Sequence, residues 1–169
     1  MITLRPMRAA MEDYRYMQAW FAEPELQQWV WCDDKGEPPV SLDRIAEKYG
    51  ARAQNPTDVF PYFILLDNTP IGFIQYYLHT EDTIGLDMWI GVPGERSRGF
   101  GSKALRQMVE LICRKHPAIR EIFIDPEKEN HCAVRCYQKA GFITEGEFTD
   151  EEGAACLLMK IRLNKEESP

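Results

Sequence analysis

Residues 87–110 read DMWIGVPGERSRGFGSKALRQMVE, and the way this stretch divides decides the fold. Met88 to Val92 is a short apolar run, the pattern of a buried strand. A turn follows, then a basic, glycine-rich loop, Arg96-Ser97-Arg98-Gly99-Phe100-Gly101. Its glycines tolerate positive φ and leave backbone N–H groups unobstructed by side chains. From Gly101 to His116 the spacing predicts a helix, with Leu105, Met108, Val109, Ile112 and Cys113 at i, i+3, i+4, i+7 and i+8 along a buried stripe; Pro117 stops it. The first turn of such a helix presents unpaired N–H groups and the positive end of its dipole. A strand, a loop and a helix N-terminus in that order form a cradle for a diphosphate, with Arg96, Arg98, Ser102 and Lys103 around it. The loop is neither a Walker sequence nor a full G-x-G-x-x-G, and standing alone it also reads as a plain strand-to-helix turn with solvated arginines.

Outward from this stretch, the chain alternates strands with helices. Ile2 to Met7 reads as a first strand, with Pro6 marking an edge. Ala9 to Trp20 is helical, with Met11, Tyr14, Met17 and Trp20 on one face, and Glu25 to Trp29 makes a short second helix. Gly36, Pro38 and Pro39 mark a loop; Ser41 then caps a helix to about Ala53 with Leu42, Ile45, Ala46 and Tyr49 inward. Tyr62 to Leu66 and Ile71 to Leu78 form a hairpin around Asp67-Asn68-Thr69-Pro70. In its second strand Gln75 and Tyr77 share one face, Ile74 and Tyr76 the other. Leu86 to Val92 feeds the loop. Beyond the helix come a short strand (Glu121 to Ile124), a helix capped by Asn130 and broken at Gly141, and a closing hairpin of Phe142 to Phe148 with Ala155 to Ile161. No repeat or linker interrupts this order, so residues 1–163 read as one domain with a polar tail at 164–169.

Composition bounds the function. A length of 169 residues suits a single domain with a substantial core, and 44% hydrophobic with 28% charged residues is ordinary for a soluble globular chain. Met1 leads directly into a strand pattern and no apolar run approaches a membrane span, so neither a signal peptide nor a membrane is expected. The five cysteines lack C-x-x-C spacing; Cys132 and Cys136 sit one helical turn apart without a second ligand pair, and His79, His116 and His131 have no metal-ligand spacing, so no metal is expected. Free thiols suit a reducing cytoplasm. A formal net charge of −7 disfavours nucleic acid and is compatible with a cationic partner, although charge by itself says no more than solubility. Ser97 and Ser102 have no base at recognisable spacing, which argues against a nucleophilic serine.

Two residues stand out for chemistry. Asp87 interrupts an apolar strand (Leu86, Met88, Trp89, Ile90), where a carboxylate is unfavourable unless it has a partner or a task. Tyr137 has Val134 as its i−3 neighbour and by periodicity alone belongs to the core. Trp29 and Trp31, running into Asp33 and Asp34, read either as core caps or as a pocket wall with acids to attract amines.

The loop between its strand and helix, followed by a second strand and by a helix carrying Asn130 and Tyr137, resembles the GNAT superfamily of acyl-CoA-dependent N-acetyltransferases. The R-x-x-G-x-G loop is similar to the one that holds the coenzyme A pyrophosphate in that family. The resemblance implies an α/β (α+β) fold with a mixed, mostly antiparallel central sheet, splayed central strands and flanking helices. Within the superfamily the chain is most similar to aminoglycoside 6′-N-acetyltransferases, through LRPM, PIGFIQYY, GLDMWIG, IDPEKEN and AVRCYQKAGF. The resemblance implies that Asp87 of Gly85-Leu86-Asp87 binds or deprotonates the target amine. It also implies that Asp125 grips the substrate, that Asn130 contacts the pantetheine arm, and that Tyr137 protonates the leaving thiolate. Only residues 79–84 precede the G-L-D motif, where that group often carries a longer acidic, aromatic segment.

On this resemblance the chain reads as an acetyl-CoA-dependent aminoglycoside 6′-N-acetyltransferase, transferring acetyl directly to a primary amine of a cationic small molecule, as a monomer or homodimer. Asp87 and Tyr137 are its expected catalytic pair. Amides near Trp89 and Ile90 are expected to meet the thioester and the pantetheine, and residues 96–103 the pyrophosphate. Trp29, Gln75, Tyr77, Asp87 and Asp125 are expected to line the substrate site. Three other readings remain: an acetyltransferase for a siderophore hydroxylysine precursor or a protein N-terminus, a non-catalytic acyl-CoA-binding module, and a nucleotide-binding regulatory domain.

Overall fold

The structure, a computed structural model, describes residues 1–30 and 40–163. Its frame is one seven-stranded sheet in the order β1-β2-β3-β4-β5-β7-β6. The strands are β1 (Ile2–Pro6), β2 (Val59–Leu66), β3 (Thr69–Leu78), β4 (Thr83–Ile90), β5 (Glu121–Ile124), β6 (Ile143–Thr149) and β7 (Ala155–Arg162). Every neighbouring pair is antiparallel except β4 with β5. The β2–β3 hairpin closes on Asp67 and Asn68, whose φ values of 47° and 68° are those of a two-residue turn matched to strand twist.

The helices are α1 (Met11–Phe21), α2 (Pro24–Gln27), α3 (Leu42–Ile45), α4 (Ala51–Gln54), α5 (Phe100–Lys115) and α6 (His131–Lys139). The side-chain period of two sends β-strand residues to opposite faces, and each face has its own core. On one face Ile64, Ile74, Tyr76, Ile84 and Leu86 pack with Leu105, Met108 and Ile112 of α5 and with Tyr137 of α6. On the other, Phe63, Phe73 and Trp89 pack with Tyr14, Met17, Trp20 and Phe21 of α1 and with Ile45 and Tyr49. Two expectations for helix faces need correction. Met11 is 48% exposed and lies off the buried face of α1, which instead includes Asp13; Cys113 is likewise exposed on α5.

Asp13 is fully buried, and two arginines make that tolerable. Arg5 donates twice to it at 3.0 Å, and Arg8 donates through its backbone N–H and its guanidinium at 2.8 Å. Burial works to raise its pKa, but the hydrogen bonds from Arg5 and Arg8 outweigh it and hold the carboxyl below its usual range.

The helix expected from Ser41 to Ala53 is present, with Ser41 Oγ accepting from Arg44 N at 3.2 Å, but it is not uniform. Between α3 and α4 lies a π-helical turn, Ala46–Gly50. Gly50 sits beneath the Tyr14 hydroxyl, where a Cβ would come within 2.3 Å. No helix among the described residues is long and apolar enough to cross a membrane. The loop expected at 34–39 and the tail at 164–169 lie outside the described residues.

Candidate active site

The site is built on β4. Its parallel pairing with β5 stops at Gly85↔Phe123, while its antiparallel pairing with β3 continues to Gly72↔Ile90. From Leu86 onward, β4 therefore has no strand among the described residues on its β5 side. Ladder bonds fix which amides are left over. His79 N donates to Thr83 O at 3.0 Å, and Gly91 N donates to Ile71 O at 2.8 Å. The two-residue alternation between these ends turns the backbone groups of Asp87 and Trp89 toward β3, and those of Met88 and Ile90 toward the open edge. Trp89 thus departs from the expectation. Its indole stacks on Phe73 at 4.5 Å in the core, and its amide faces β3. Met88, which its residue type alone did not mark, takes that place beside Ile90.

Asp87 and Gln75 are direct cross-strand partners, and Gln75 Nε2 donates to Asp87 Oδ2 at 2.9 Å. Arg52 of α4 donates to Gln75 Oε1 at 3.4 Å. Burial raises the Asp87 pKa, against the Gln75 hydrogen bond and the charges of Arg52 and Lys48. Asp125, just past the end of β5, is pushed up to about 6 by burial first and then by the charge of Asp87. Tyr77 and Tyr137 are both shifted upward by burial, and both also feel the charges of Asp87 and Asp125. The charges of Asp87 and Asp125 thus act on both Tyr77 and Tyr137. Gly85 makes room for Tyr77. Tyr77 lies across it, and a Cβ there would meet the ring at 2.2 Å.

Tyr137 is buried, in agreement with its periodicity, and its phenol feels the charges of Cys136, Asp87 and Asp125. Its phenol stays protonated at any physiological pH, which suits a hydrogen-bond donor.

At the end of β4 the chain makes a 3-10 turn, Pro93–Glu95, and enters α5 through Ser97 at φ 58° and Gly99 at φ 82°. No described side chain caps α5 and no acid occupies its first turn. The helix's hydrogen bonding begins with Lys103 N to Gly99 O at 3.2 Å, so the amides of Phe100, Gly101 and Ser102 have no helical acceptor. The loop's side chains divide by role. Arg98 is exposed, paired with Glu95 at 2.5 Å and stacked over Phe100 at 5.0 Å, and Lys103 also lies over the Phe100 ring. Ser102 turns inward and donates to Gly99 O at 3.0 Å, so of its polar groups only the amide faces the cradle.

Arg96 is the correction. It is not mobile charge: Nε donates to Ile90 O at 2.9 Å, Nη2 to Gly91 O at 3.3 Å, and Nη1 pairs with Glu25 at 2.7 Å and Glu23 at 3.5 Å. Arg96 ties the end of β4 to α2. Asn130 caps α6, its Oδ1 accepting from Ala133 N at 3.2 Å.

Trp29 is 37% exposed in the turn after α2, so it does not cap the core. Trp31, Asp33 and Asp34 lie outside the described residues. Three cations of the site carry no mark in the amino-acid order. Arg52 and Lys48 reach Asp87 electrostatically from the α3–α4 segment, whose pattern shows only an inward stripe. Lys139 stands beside the loop, since a Cβ on Gly99 would lie 3.7 Å from its Nζ. It belongs to the same AVRCYQKAGF run as Tyr137 but has no signal of its own. Among the described residues, no three His, Cys, Asp or Glu side chains gather as a metal site.

An open-edged strand leads into an uncapped helix start, with a paired carboxylate at the strand's centre. The Acetyltransferase (GNAT) domain model matches residues 9–150, and the chain belongs to that family. It is an acyltransferase that draws its acetyl group from acetyl-CoA. The chain is 28% identical over 95% of its length to the aminoglycoside N(6′)-acetyltransferase type 1 of Klebsiella pneumoniae, of which it covers 83%. A kanamycin resistance protein of Rhizobium radiobacter is 35% identical over 46% of this chain and 71% of its own length. Among solved structures, aminoglycoside acetyltransferase AAC(6′)-Ib with coenzyme A and kanamycin superposes with a TM-score of 0.80 at 28% identity, covering 96% of this chain and 95% of that one.

Proposed function

We propose that this acetyltransferase acts on a primary amine of a polycationic small molecule, with the 6′-amine of an aminoglycoside as its foremost substrate. One observation carries the reading: Asp87 and Asp125 converge with Gln75 and Tyr77 beside the open edge of β4. Two carboxylates attract ammonium groups, and the amide and phenol supply hydrogen bonds for hydroxyls. The likeness to aminoglycoside acetyltransferases over nearly the whole chain supports the same class of substrate.

The residues divide the work. Amides at the start of α5, with Arg98, Lys103 and Lys139 around them, hold the diphosphate. The N–H groups of Met88 and Ile90 donate to the pantetheine and to the thioester oxygen as negative charge builds there. Asn130 keeps its NH2 for the same arm. Asp87 accepts the proton that the ammonium must lose before nitrogen attacks the thioester carbon, directly or across one water. As the C–S bond breaks, Tyr137 donates to the sulfur, and the proton released from nitrogen restores it. Asp125 grips a second ammonium, and Trp29 offers a ring at the rim. Free thiols and the need for acetyl-CoA fit a cytoplasmic enzyme.

A thiol-release assay across kanamycin-like aminoglycosides, hydroxylysine-type amines, polyamines and peptides tests this. Turnover of aminoglycosides well above the rest is the expected result. Activity confined to peptides or to hydroxylysine-type amines would replace the substrate, and acetyl-CoA binding with no transfer would replace the function.

A further inference from the structure

We propose that Arg52 and Gln75 form a positioning relay that holds the Asp87 carboxylate in one orientation. The inference rests on the reading of Asp87 as the residue that receives the amine's proton. Gln75 is 8% exposed, and its side-chain amide lies between a guanidinium at 3.4 Å and a carboxylate at 2.9 Å. A guanidinium only donates and a carboxylate only accepts. The amide satisfies both in a single sense, with its oxygen to Arg52 and its NH2 to Asp87. Without Arg52, a flipped or rotated amide loses little at that end and releases Asp87 at the other.

The backbone serves this contact. The π-helical turn at Ala46–Gly50 widens the helix just before α4. One extra residue in a turn rotates every later side chain by about 100° around the helix axis. A regular helix would therefore point position 52 elsewhere. The guanidinium is also braced over the Tyr49 ring at 5.5 Å. The groups around Asp87 are Gln75 and Tyr77 from β3, Lys48 and Arg52 from the helix, Asp125 from beyond β5 and Tyr137 from α6. Burial disfavours charge on both carboxyls; Arg52 and Lys48 oppose it at Asp87 from the relay side, whereas the Asp87 charge adds to it at Asp125. The Gln75 hydrogen bond and the two cations thereby favour the charged form of Asp87 against the burial that raises its pKa.

Carboxyl-carbon NMR titration of Asp87 in the ligand-free protein tests this, carried out in an Asp125→Asn background so that one acid titrates. Arg52→Met and Gln75→Leu are each expected to raise the Asp87 pKa by about one unit, and the double variant by no more than the larger single shift. Arg52→Lys keeps the charge without the fork and should recover the shift only in part. The acid limb of kcat/KM should move upward in step. An unchanged titration in Arg52→Met, fully additive shifts, or complete rescue by lysine would each overturn the relay. Should Arg52→Met not fold, judged by coenzyme titration, Arg52→Gln is read by the same criteria. Because the titration needs no substrate, a coupled titration in a protein that acetylates no amine would sink the proposed function and leave the relay standing.

Discussion

Gln75 and Asp87 stand opposite each other on β3 and β4, and the Gln75 amide donates to the Asp87 carboxylate at 2.9 Å. That bond fixes a carboxylate on an interior strand whose β5 side is left unpaired among the described residues beyond Gly85. The pairing of β4 with β5 ends two residues before Asp87.

Asp87→Asn keeps the shape and removes the base. We expect kcat to fall roughly 10²- to 10⁴-fold. Acetyl-CoA affinity, read by calorimetry, should stay within about twofold, since the proposed diphosphate cradle is at the start of α5. Near-normal turnover would take Asp87 out of the mechanism.

Tyr137→Phe removes a hydroxyl that burial keeps protonated. A fall in kcat of roughly 10- to 100-fold is expected, with amine KM little changed. If KM alone rises, the phenol binds substrate and has no part in thiolate departure.

Asp125 titrates near 6 in the folded chain, against 3.8 without its surroundings. Attraction for a cationic substrate should therefore strengthen as pH rises through about 6, and this limb of the kcat/KM profile should vanish in Asp125→Asn. Stability runs the other way. An acid whose folded pKa is raised is least unfavourable when protonated, so its contribution is lost as pH climbs from 3.8 to about 6. Asp125→Asn should match the wild-type melting temperature near pH ~4 and exceed it above pH ~6.5; an equal gap at both pH values would refute the assignment.

Arg96 and Arg98 neighbour each other in sequence and should part in experiment. Arg96→Met releases the Ile90 and Gly91 carbonyls and the acids of α2, and should destabilise by about 2–3 kcal/mol in urea unfolding. Arg98→Met should leave stability unchanged and weaken acetyl-CoA binding several-fold. The reverse pattern would restore Arg96 as a phosphate ligand.

Gly99 starts α5 at φ 82°. Gly99→Ala forces a Cβ into a left-handed conformation at roughly 1–2 kcal/mol and disturbs the amides of the cradle. KM for acetyl-CoA should rise about tenfold while kcat holds. Unchanged KM would mean the cradle lies elsewhere.

Some of this was legible from residue order because its causes are local. Gly99 announces the turn into α5 by the left-handed φ it adopts, and Gly101 lies in the helix where a Cβ would crowd Cys136. Leu105, Met108 and Ile112 repeat at the helical period and are all fully buried. Asn130 reads as a cap because its side chain bonds three residues ahead. Asp87 stands out because an acid in an apolar strand is unfavourable without a partner.

The rest is set by contacts between elements far apart in the chain, which no local pattern records. Arg96 resembles Arg98 until the Ile90 carbonyl and Glu25 claim its guanidinium. Trp89 and Met88 exchange roles once the β3 ladder decides which amides remain open. Arg52 reaches Gln75 across 23 positions of sequence through a π-helical turn, a departure in hydrogen bonding that no single residue type announces. By itself the amino-acid order determined the strands, the helices, the glycine-rich loop between β4 and α5 and the conspicuous acid. Packing alone decided which charges are spent on holding the protein together and which are left to face a substrate, because an ion's task depends on the partner that folding puts beside it.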